Sequence, residues 1–416
     1  MFTPLNRDGS VFCLKVRLFV QSSFRFRGVI ALSLLVISIF SVVLVGLTRP
    51  GAHASGMTFL AQADWSTFGF KARHTRVNPY EHVLTTSNVS KLVLDWKVPT
   101  ANYMYSSPAV VGGVVYIGSD DRKFHAFNAS TGVELWNFLT GNFVDSSPTV
   151  ANGIVYVGSD DGMVYALNSA TGIELWSFLT GSFVDSSPTV VNNSVYIGSG
   201  DGKIYALNAS TGALLWDFQT GSVVHSVPAV ASGVVYVGSD DGKVYALSTS
   251  KGKMLWSYQT GNYVVSSPAV VNGVVYIGSG DGKLYALNAT TGARLWSHGT
   301  GFYIFSSPAV TNGVVYVGAY DSKLYALNAS TGTVLWSFKS GGRIYSSPAI
   351  ANGIAYVGSD DQSVYAIDAS TGAMLWRYQT GNFITSSPAV VDGVVYIGSI
   401  DHYLYAFHLQ GKTPLG

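Results

Sequence analysis

An all-β fold, a single eight-bladed β-propeller of four-stranded antiparallel blades, is what this sequence predicts, and three observations carry the prediction. The chain repeats with a period of 40 from about Leu92 onward. Each copy holds four short runs of β-branched and aromatic residues parted by glycine turns. The two ends of the repeated region complement each other in what they lack.

The period is read from the triplet Ser106-Ser107-Pro108, whose first serine recurs at Ser146, Ser186, Ser226, Ser266, Ser306, Ser346 and Ser386. Self-similarity at such a spacing marks a repeat architecture. Within Ser266 to Gly301, Asn272-Gly273 is a two-residue hairpin signal, because a type I′ turn needs positive φ at both central positions. Asp281-Gly282 repeats that signal, and Thr291-Gly292 turns the chain into a last run. Four strands joined in sequence make a meander, the unit of a propeller blade. No segment after residue 90 has the length or the 3.6 periodicity of a helix.

Closure follows from the tryptophans. Trp96, Trp136, Trp176, Trp216, Trp256, Trp296, Trp336 and Trp376 each precede a triplet by ten residues, so the triplet at Ser386 has three strands after it and no tryptophan strand. The missing strand is "KLVLDWKVP", Lys91 to Pro99, at the other end. An open stack of repeats wants polar caps instead. A ring needs this complementarity, since it removes free sheet edges. The expected closure is three strands plus one.

Composition bounds the rest. Of 416 residues only 11% are charged and the formal net charge is +1, which argues against a nucleic-acid partner. The single cysteine, Cys13, precludes an intrachain disulfide. Arg17, Arg25 and Arg27 precede an apolar run, 29–47, followed by small residues at Ala52 to Ser55. That pattern reads either as a cleaved signal peptide or as an uncleaved membrane anchor, and both place the remainder outside the cytoplasm, secreted, periplasmic or tethered. The expected organisation is a leader over 1–54, an entry segment over 55–91 whose Trp65, Phe68 and Phe70 pack on one face of the ring, and a propeller over 92–416.

The pattern at Ala126, Asn128, Thr131, Gly132 and Trp136 resembles the tryptophan-docking motif of the PQQ-repeat, quinoprotein-type propellers. That family includes quinoprotein alcohol dehydrogenases and BamB-type outer-membrane assembly factors. The match departs at Ser248 and Lys251, and after Phe407, where no tryptophan follows. The resemblance implies one of two functions: a non-enzymatic, BamB-like extracytoplasmic binding or interaction scaffold with no cofactor, or a dehydrogenase using PQQ with calcium. The dehydrogenase branch implies a calcium-binding ligand set and commonly a vicinal cysteine pair, and the propeller has no cysteine. The assembly-factor branch implies a lipid-bearing cysteine, which this leader does not place at its end.

The repeated residues have structural explanations. The tryptophans are core and interblade wedges, and the ring from Asp121 to Asp401 reads as turn carboxylates rather than calcium sites, since one carboxylate supplies too few oxygens. Sequons such as Asn128-Ala129-Ser130 fall inside the docking motif. No metal site or catalytic set is assigned from them.

What varies is more informative. Just before each inner strand stand Tyr105, Asp145, Asp185, His225, Val265, Phe305, Tyr345 and Thr385, expected to circle the mouth of the central channel. Two positions earlier stand mostly aromatic residues, among them Tyr103, Phe143, Tyr303 and Arg343. The arrangement predicts an acidic, imidazole-bearing arc facing an aromatic arc, suited to a protein, peptide or glycan partner or a cationic group. A third function, a hydrolase or lyase, would use Asp145, Asp185 and His225 as acid and base.

Overall fold

The computed structural model describes residues 64–411, which form eight four-stranded antiparallel blades, in sequence order or closed by the strand Leu92–Pro99, with the short strand Val77–Asn78 added in parallel to the inner strand Ala349–Ala351 of one of them. The apolar run at 29–47, the small residues after it and Cys13 lie outside the described residues, with the expectations placed on them. Among the described residues no helix is long and apolar enough to cross a membrane. Blade 1 begins at Ala109 and blades 2 to 7 follow at intervals of 40. Blade 8 joins Ala389–Val391, Val394–Gly398 and Tyr403–Leu409 to Leu92–Pro99.

Blade 5 shows how sequence makes the unit. Its strands Ala269–Val271, Val274–Gly278, Lys283–Asn288 and Arg294–Gly299 pair consecutively. Val275, Ile277, Leu284 and Leu287 are fully buried, because both faces of a middle strand are covered by neighbouring blades. Asn272 and Gly273 have φ of 50° and 76°, as a type I′ turn requires. Asp281-Gly282 is a different turn from the one expected. Only Gly282 has positive φ, and its N–H bonds the Ser279 carbonyl at 3.1 Å. Asp281 stays out of the left-handed region because its carboxylate accepts from the Lys283 N–H, from the Tyr285 hydroxyl and from the Gly261 N–H of the preceding blade. The same carboxylate role recurs around the ring, at Asp161, Asp201, Asp241, Asp361 and Asp401. These side chains are occupied by turn and interblade bonds.

Each tryptophan docks on the next blade. Trp136 Nε1 donates to the Ser169 carbonyl at 3.0 Å, Trp176 to Ala209 at 2.9 Å and Trp216 to Thr249 at 2.8 Å, and the series continues through Trp336. Only glycine fits beneath the indole: a Cβ on Gly172 would lie 2.5 Å from Trp136, and its φ is +70°. The ring closes as the tryptophan count demands. Leu92–Pro99 pairs antiparallel with Tyr403–Leu409, Trp376 donates to the Leu92 carbonyl and Trp96 donates to the Ala129 carbonyl of blade 1.

Residues 65–78 run across one face of the ring and bond to every blade. Trp65 pairs with Val110 of blade 1, and the Ser66 carbonyl accepts the Val150 N–H of blade 2. His74 bonds the Thr189 hydroxyl of blade 3 at 3.1 Å. The carbonyls of Ala72, Arg73, Thr75 and Arg76 accept from Val230, Val270, Val310 and Ile350, and the Asn78 amide donates to Val390 of blade 8. The buried Arg76 guanidinium donates to the carbonyls of Pro348, Ser347 and Phe68 and lies over the Phe68 ring at 4.5 Å. Every inner strand is thereby laced to one segment.

Candidate ligand-binding well

The central channel is a well. Its cavity of about 370 Å³ is lined by Phe68 from the lacing segment, by the second serine of seven triplets, and by the variable residues above them. The serines form a hoop. The Ser107 N–H donates to Ser147 Oγ at 2.9 Å, Ser147 to Ser187, Ser267 to Ser307, Ser307 to Ser347, Ser347 to Ser387, and Ser387 back to Ser107. Blade 4 carries Val227 in place of the serine, so the Ser187 N–H has no hydroxyl to meet at that position. Val227→Thr restores a hydroxyl with nearly the same volume. It is expected to raise stability by about 0.5–1.5 kcal/mol, the net value of a buried hydrogen bond, readable as an upward shift in thermal melting.

The ring of variable residues stands above the hoop. Tyr105, Asp145, Asp185, His225, Val265, Phe305, Tyr345 and Thr385 all line the cavity. Tyr103, Phe143, Tyr303 and Arg343 lie outside that lining, with Tyr103, Phe143 and Tyr303 exposed at the rim. Sequence reasoning overlooked a second variable column, Asp120, Asp160, Gly200, Asp240, Gly280, Tyr320, Asp360 and Ile400. Each of its N–H groups bonds the carbonyl of the rim residue 17 positions earlier, for example Asp120 to Tyr103 and Tyr320 to Tyr303. That column, immediately before the turn aspartates, varies less than the first but could have been found by the same comparison of copies.

The two columns build the acidic arc together. His225 Nδ1 is 2.6 Å from Asp185 Oδ2 and its Nε2 is 3.4 Å from Asp240 Oδ2. Burial alone would lower the imidazole pKa, but the two carboxylates outweigh it and hold it at about 10. The ring is therefore an imidazolium at neutral pH, unable to accept a proton as a general base. Asp145 goes the other way: burial, a hydrogen bond to Asp120 and the charges of Asp120, Asp160 and Asp185 push its carboxyl up to about 9. Burial and the charges of Asp185, Asp120 and Asp161 raise Asp160 to about 6.

Both shifts have one sign for stability. Asp145 is protonated in the folded state and ionised in the unfolded state between pH 3.8 and about 9. His225 is likewise protonated only when folded between pH 6.5 and about 10. The native state binds more protons in both windows, so stability falls as pH rises through them. Thermal melting from about pH 6.5 to about pH 9 is expected to decline, and Asp145→Asn is expected to flatten the slope.

The opposite arc is aromatic. Phe305 meets Tyr320 at 4.8 Å and Tyr345 at 5.9 Å, both edge-on, and Tyr263 and Tyr303 extend the cluster. Arg343 lies over the outer side of it, 5.3 Å from the Tyr320 ring centroid.

The lining does not suit pyrroloquinoline quinone with a metal. That cofactor carries three carboxylates, and it would meet Asp145 and Asp185 with His225 already held between two carboxylates. Among the described residues no three His, Cys, Asp or Glu side chains are arranged to hold a metal ion that could offset the repulsion.

Residues 144–355 match the family of the beta-alanine-activating enzyme β-propeller, and residues 303–413 match that of outer membrane protein assembly factor BamB. No curated protein matches the chain in sequence. Among solved structures, BamB from Moraxella catarrhalis is similar at 19% identity and a TM-score of 0.67, over 76% of this chain and 99% of that one. Quinohemoprotein alcohol dehydrogenase from Comamonas testosteroni is similar at 18% identity and a TM-score of 0.73, over 85% and 82%. The computationally designed Ika8 protein is similar at 23% identity and a TM-score of 0.68, over 74% and 97%. At these identities the structures share the fold.

Proposed function

The chain belongs to the β-propeller family matched by the beta-alanine-activating enzyme propeller, with PQQ-type repeats of the BamB kind, and on that premise we propose that it is a non-enzymatic, extracytoplasmic binding scaffold whose ligand or partner enters the channel mouth. One observation carries the reading. The repeated polar groups are occupied by bonds within the ring, whereas the non-repeating chemistry converges on a well. Rigid repeat frames commonly place specificity on such variable positions. The partner is a protein, peptide or glycan segment, and the leader over 1–54, with its apolar run 29–47, exports or tethers the propeller. The entry segment over 55–91 serves the ring rather than forming a domain of its own.

The competing enzymatic readings have less support. A dehydrogenase would need a cofactor that the acidic lining repels, and a hydrolase or lyase would need a base where His225 is clamped as a cation.

The test is a thermal-shift titration with pyrroloquinoline quinone plus calcium, and in parallel with panels of peptides and glycans, on the protein and on its Asp145→Ala, Asp185→Ala, His225→Ala triple variant. The expected result is no saturable response to the quinone, and a response to at least one peptide or glycan class that the triple variant loses. A saturable quinone shift lost in the variant would replace the scaffold reading with a dehydrogenase.

A further inference from the structure

Several features compete for a further role. A groove between residues 71–75 and blades 3 and 4 is broad, but the hydroxyl of its buried Tyr196 is already bonded to the Thr249 carbonyl. The outer strands expose a leucine in blade after blade, from Leu135 to Leu335, with nothing to indicate what covers them. The acidic arc of the well differs from both. It combines a half-open cavity, buried carboxylate oxygens without donors and an aromatic wall.

Asp120 is only 7% exposed, and its Oδ1 has no hydrogen-bond partner. The Oδ1 atoms of Asp145, Asp160, Asp185 and Asp240 are also buried and unpartnered. Asp360 Oδ1, on the far arc, is unpartnered too, but only Asp145 and Asp185 of these carboxylates line the cavity, and their unpaired buried acceptors call for donors and positive charge there. The protein supplies little of either. His225 answers only Asp185 and Asp240, and Arg343 lies on the far arc. Burial and the charges of Asp120, Asp160 and Asp185 hold Asp145 protonated.

Resting on the binding-site reading above, we propose that the well binds a primary alkylammonium group, its N–H donors on Asp145 and Asp185 and its aliphatic stem against Phe305 and Tyr345. A primary ammonium carries three donors, no acceptor and one positive charge, which is the complement of this arc. Guanidinium and quaternary ammonium groups match less well: the first is planar and broad, and the second has no N–H to give. The aromatic faces add cation–π attraction where water is excluded.

The ammonium takes the place of the proton. Asp145 faces Asp120, Asp160, Asp185 and the Tyr105 hydroxyl, with His402 behind Asp120 and His225 beyond Asp185. Binding an N–H₃⁺ group beside Asp145 releases the proton held there to solvent, so affinity is linked to pH. One released proton tightens binding by about tenfold per pH unit below the Asp145 titration.

The experiment is isothermal titration calorimetry of the full-length protein with n-butylammonium at about pH 6, about pH 7 and about pH 8, in two buffers of different ionisation enthalpy. Tetramethylammonium, butanol, butyrate and glucose serve as controls. The expected result is saturable n-butylammonium binding that releases close to one proton and tightens by about tenfold per pH unit. Tetramethylammonium should bind more weakly, and the neutral and anionic probes not at all. Asp145→Asn should weaken binding and remove its pH dependence. Phe305→Leu, which leaves the carboxylates in place, should weaken it by about 2- to 30-fold without changing proton release.

A blocked lysine tripeptide separates the two sources of this group. Binding tighter than n-butylammonium assigns a protein side chain, and weaker binding assigns a free amine. Binding of butanol or glucose as tight as n-butylammonium, or unchanged binding in Asp145→Asn, overturns the ammonium while leaving the well as a binding site. No response to any of these probes overturns the ammonium too. The scaffold reading itself then stands or falls on the peptide and glycan panel and its triple variant.

Discussion

Deleting residues 91–99 is expected to turn a closed ring into an associating, much less stable protein. Leu92, Leu94, Trp96 and Val98 pack into the core that joins blades 7, 8 and 1. At roughly 1.5–3 kcal/mol for each large apolar side chain, their loss is comparable with the whole margin of about 5–15 kcal/mol that holds a typical domain folded. The damage extends past burial. Tyr403–Leu409 loses its partner and becomes an open edge, Trp376 loses the Leu92 carbonyl, and the Ala129 carbonyl loses Trp96. An exposed edge next to near-identical blades invites pairing between chains. Size exclusion should show oligomers and thermal melting should show a large downward shift. A deletion variant that elutes and melts with the parent would mean the ring does not depend on this strand.

Trp176→Ala is expected to cost roughly 3–5 kcal/mol, the range for removing a large buried aromatic side chain. The indole is buried between blades 2 and 3, tilted against Tyr156 at 5.9 Å, with Gly212 pressed against its face. Its Nε1 supplies a donor to the Ala209 carbonyl, which also accepts the Tyr156 hydroxyl. The site cannot collapse to fill the space, because Gly212 is held at φ +72° by its own turn. Trp176→Phe separates the two contributions: it keeps most of the apolar contact and removes the donor. Its loss should be the smaller, and denaturant unfolding of both variants would show it. Equal losses would mean that the hydrogen bond, not the packing, dominates the dock.

Much of this architecture was legible because the ring places the same demands on every blade. The period, the Asn272-Gly273 turn and the tryptophan spacing each answer one repeated geometric need, so eight copies of the answer stand in the sequence. Closure was legible for the same reason, since Trp96 stands one strand short of a complete blade. The lacing by residues 65–78 was not, beyond the packing expected of its aromatics. Its contacts are backbone carbonyls meeting the N–H of Val150, Val230 or Val310, and any side chain can present a carbonyl.

The channel mouth was legible in part. Comparing copies singled out Asp145, Asp185 and His225, but the clamp on His225 needs Asp240, which stands in a column 15 residues further along the same blade. Asp120 likewise matters only through its neighbour on the next blade. One contact joins two columns of a blade and the other joins two blades, so neither shows when a single column is compared across copies. The turn at Asp281-Gly282 was misjudged because a dipeptide signal ignores what else the carboxylate is bonded to.

The lacing segment also sets an order of events during synthesis. Residues 65–99 leave the ribosome before any blade, yet the partners of Asn78 and of Leu92–Pro99 lie beyond Val390 and Tyr403. The end of this stretch is thus among the last parts to be placed, and Asn78 waits for a partner 312 residues further along the chain. Early blades can form meanwhile from local hairpins, but the floor of the well and the seam of the ring are contacts of the longest sequence separation, the kind that form slowly. A nascent chain of this design therefore gains from being held, exported or otherwise shielded until its C-terminal blade arrives.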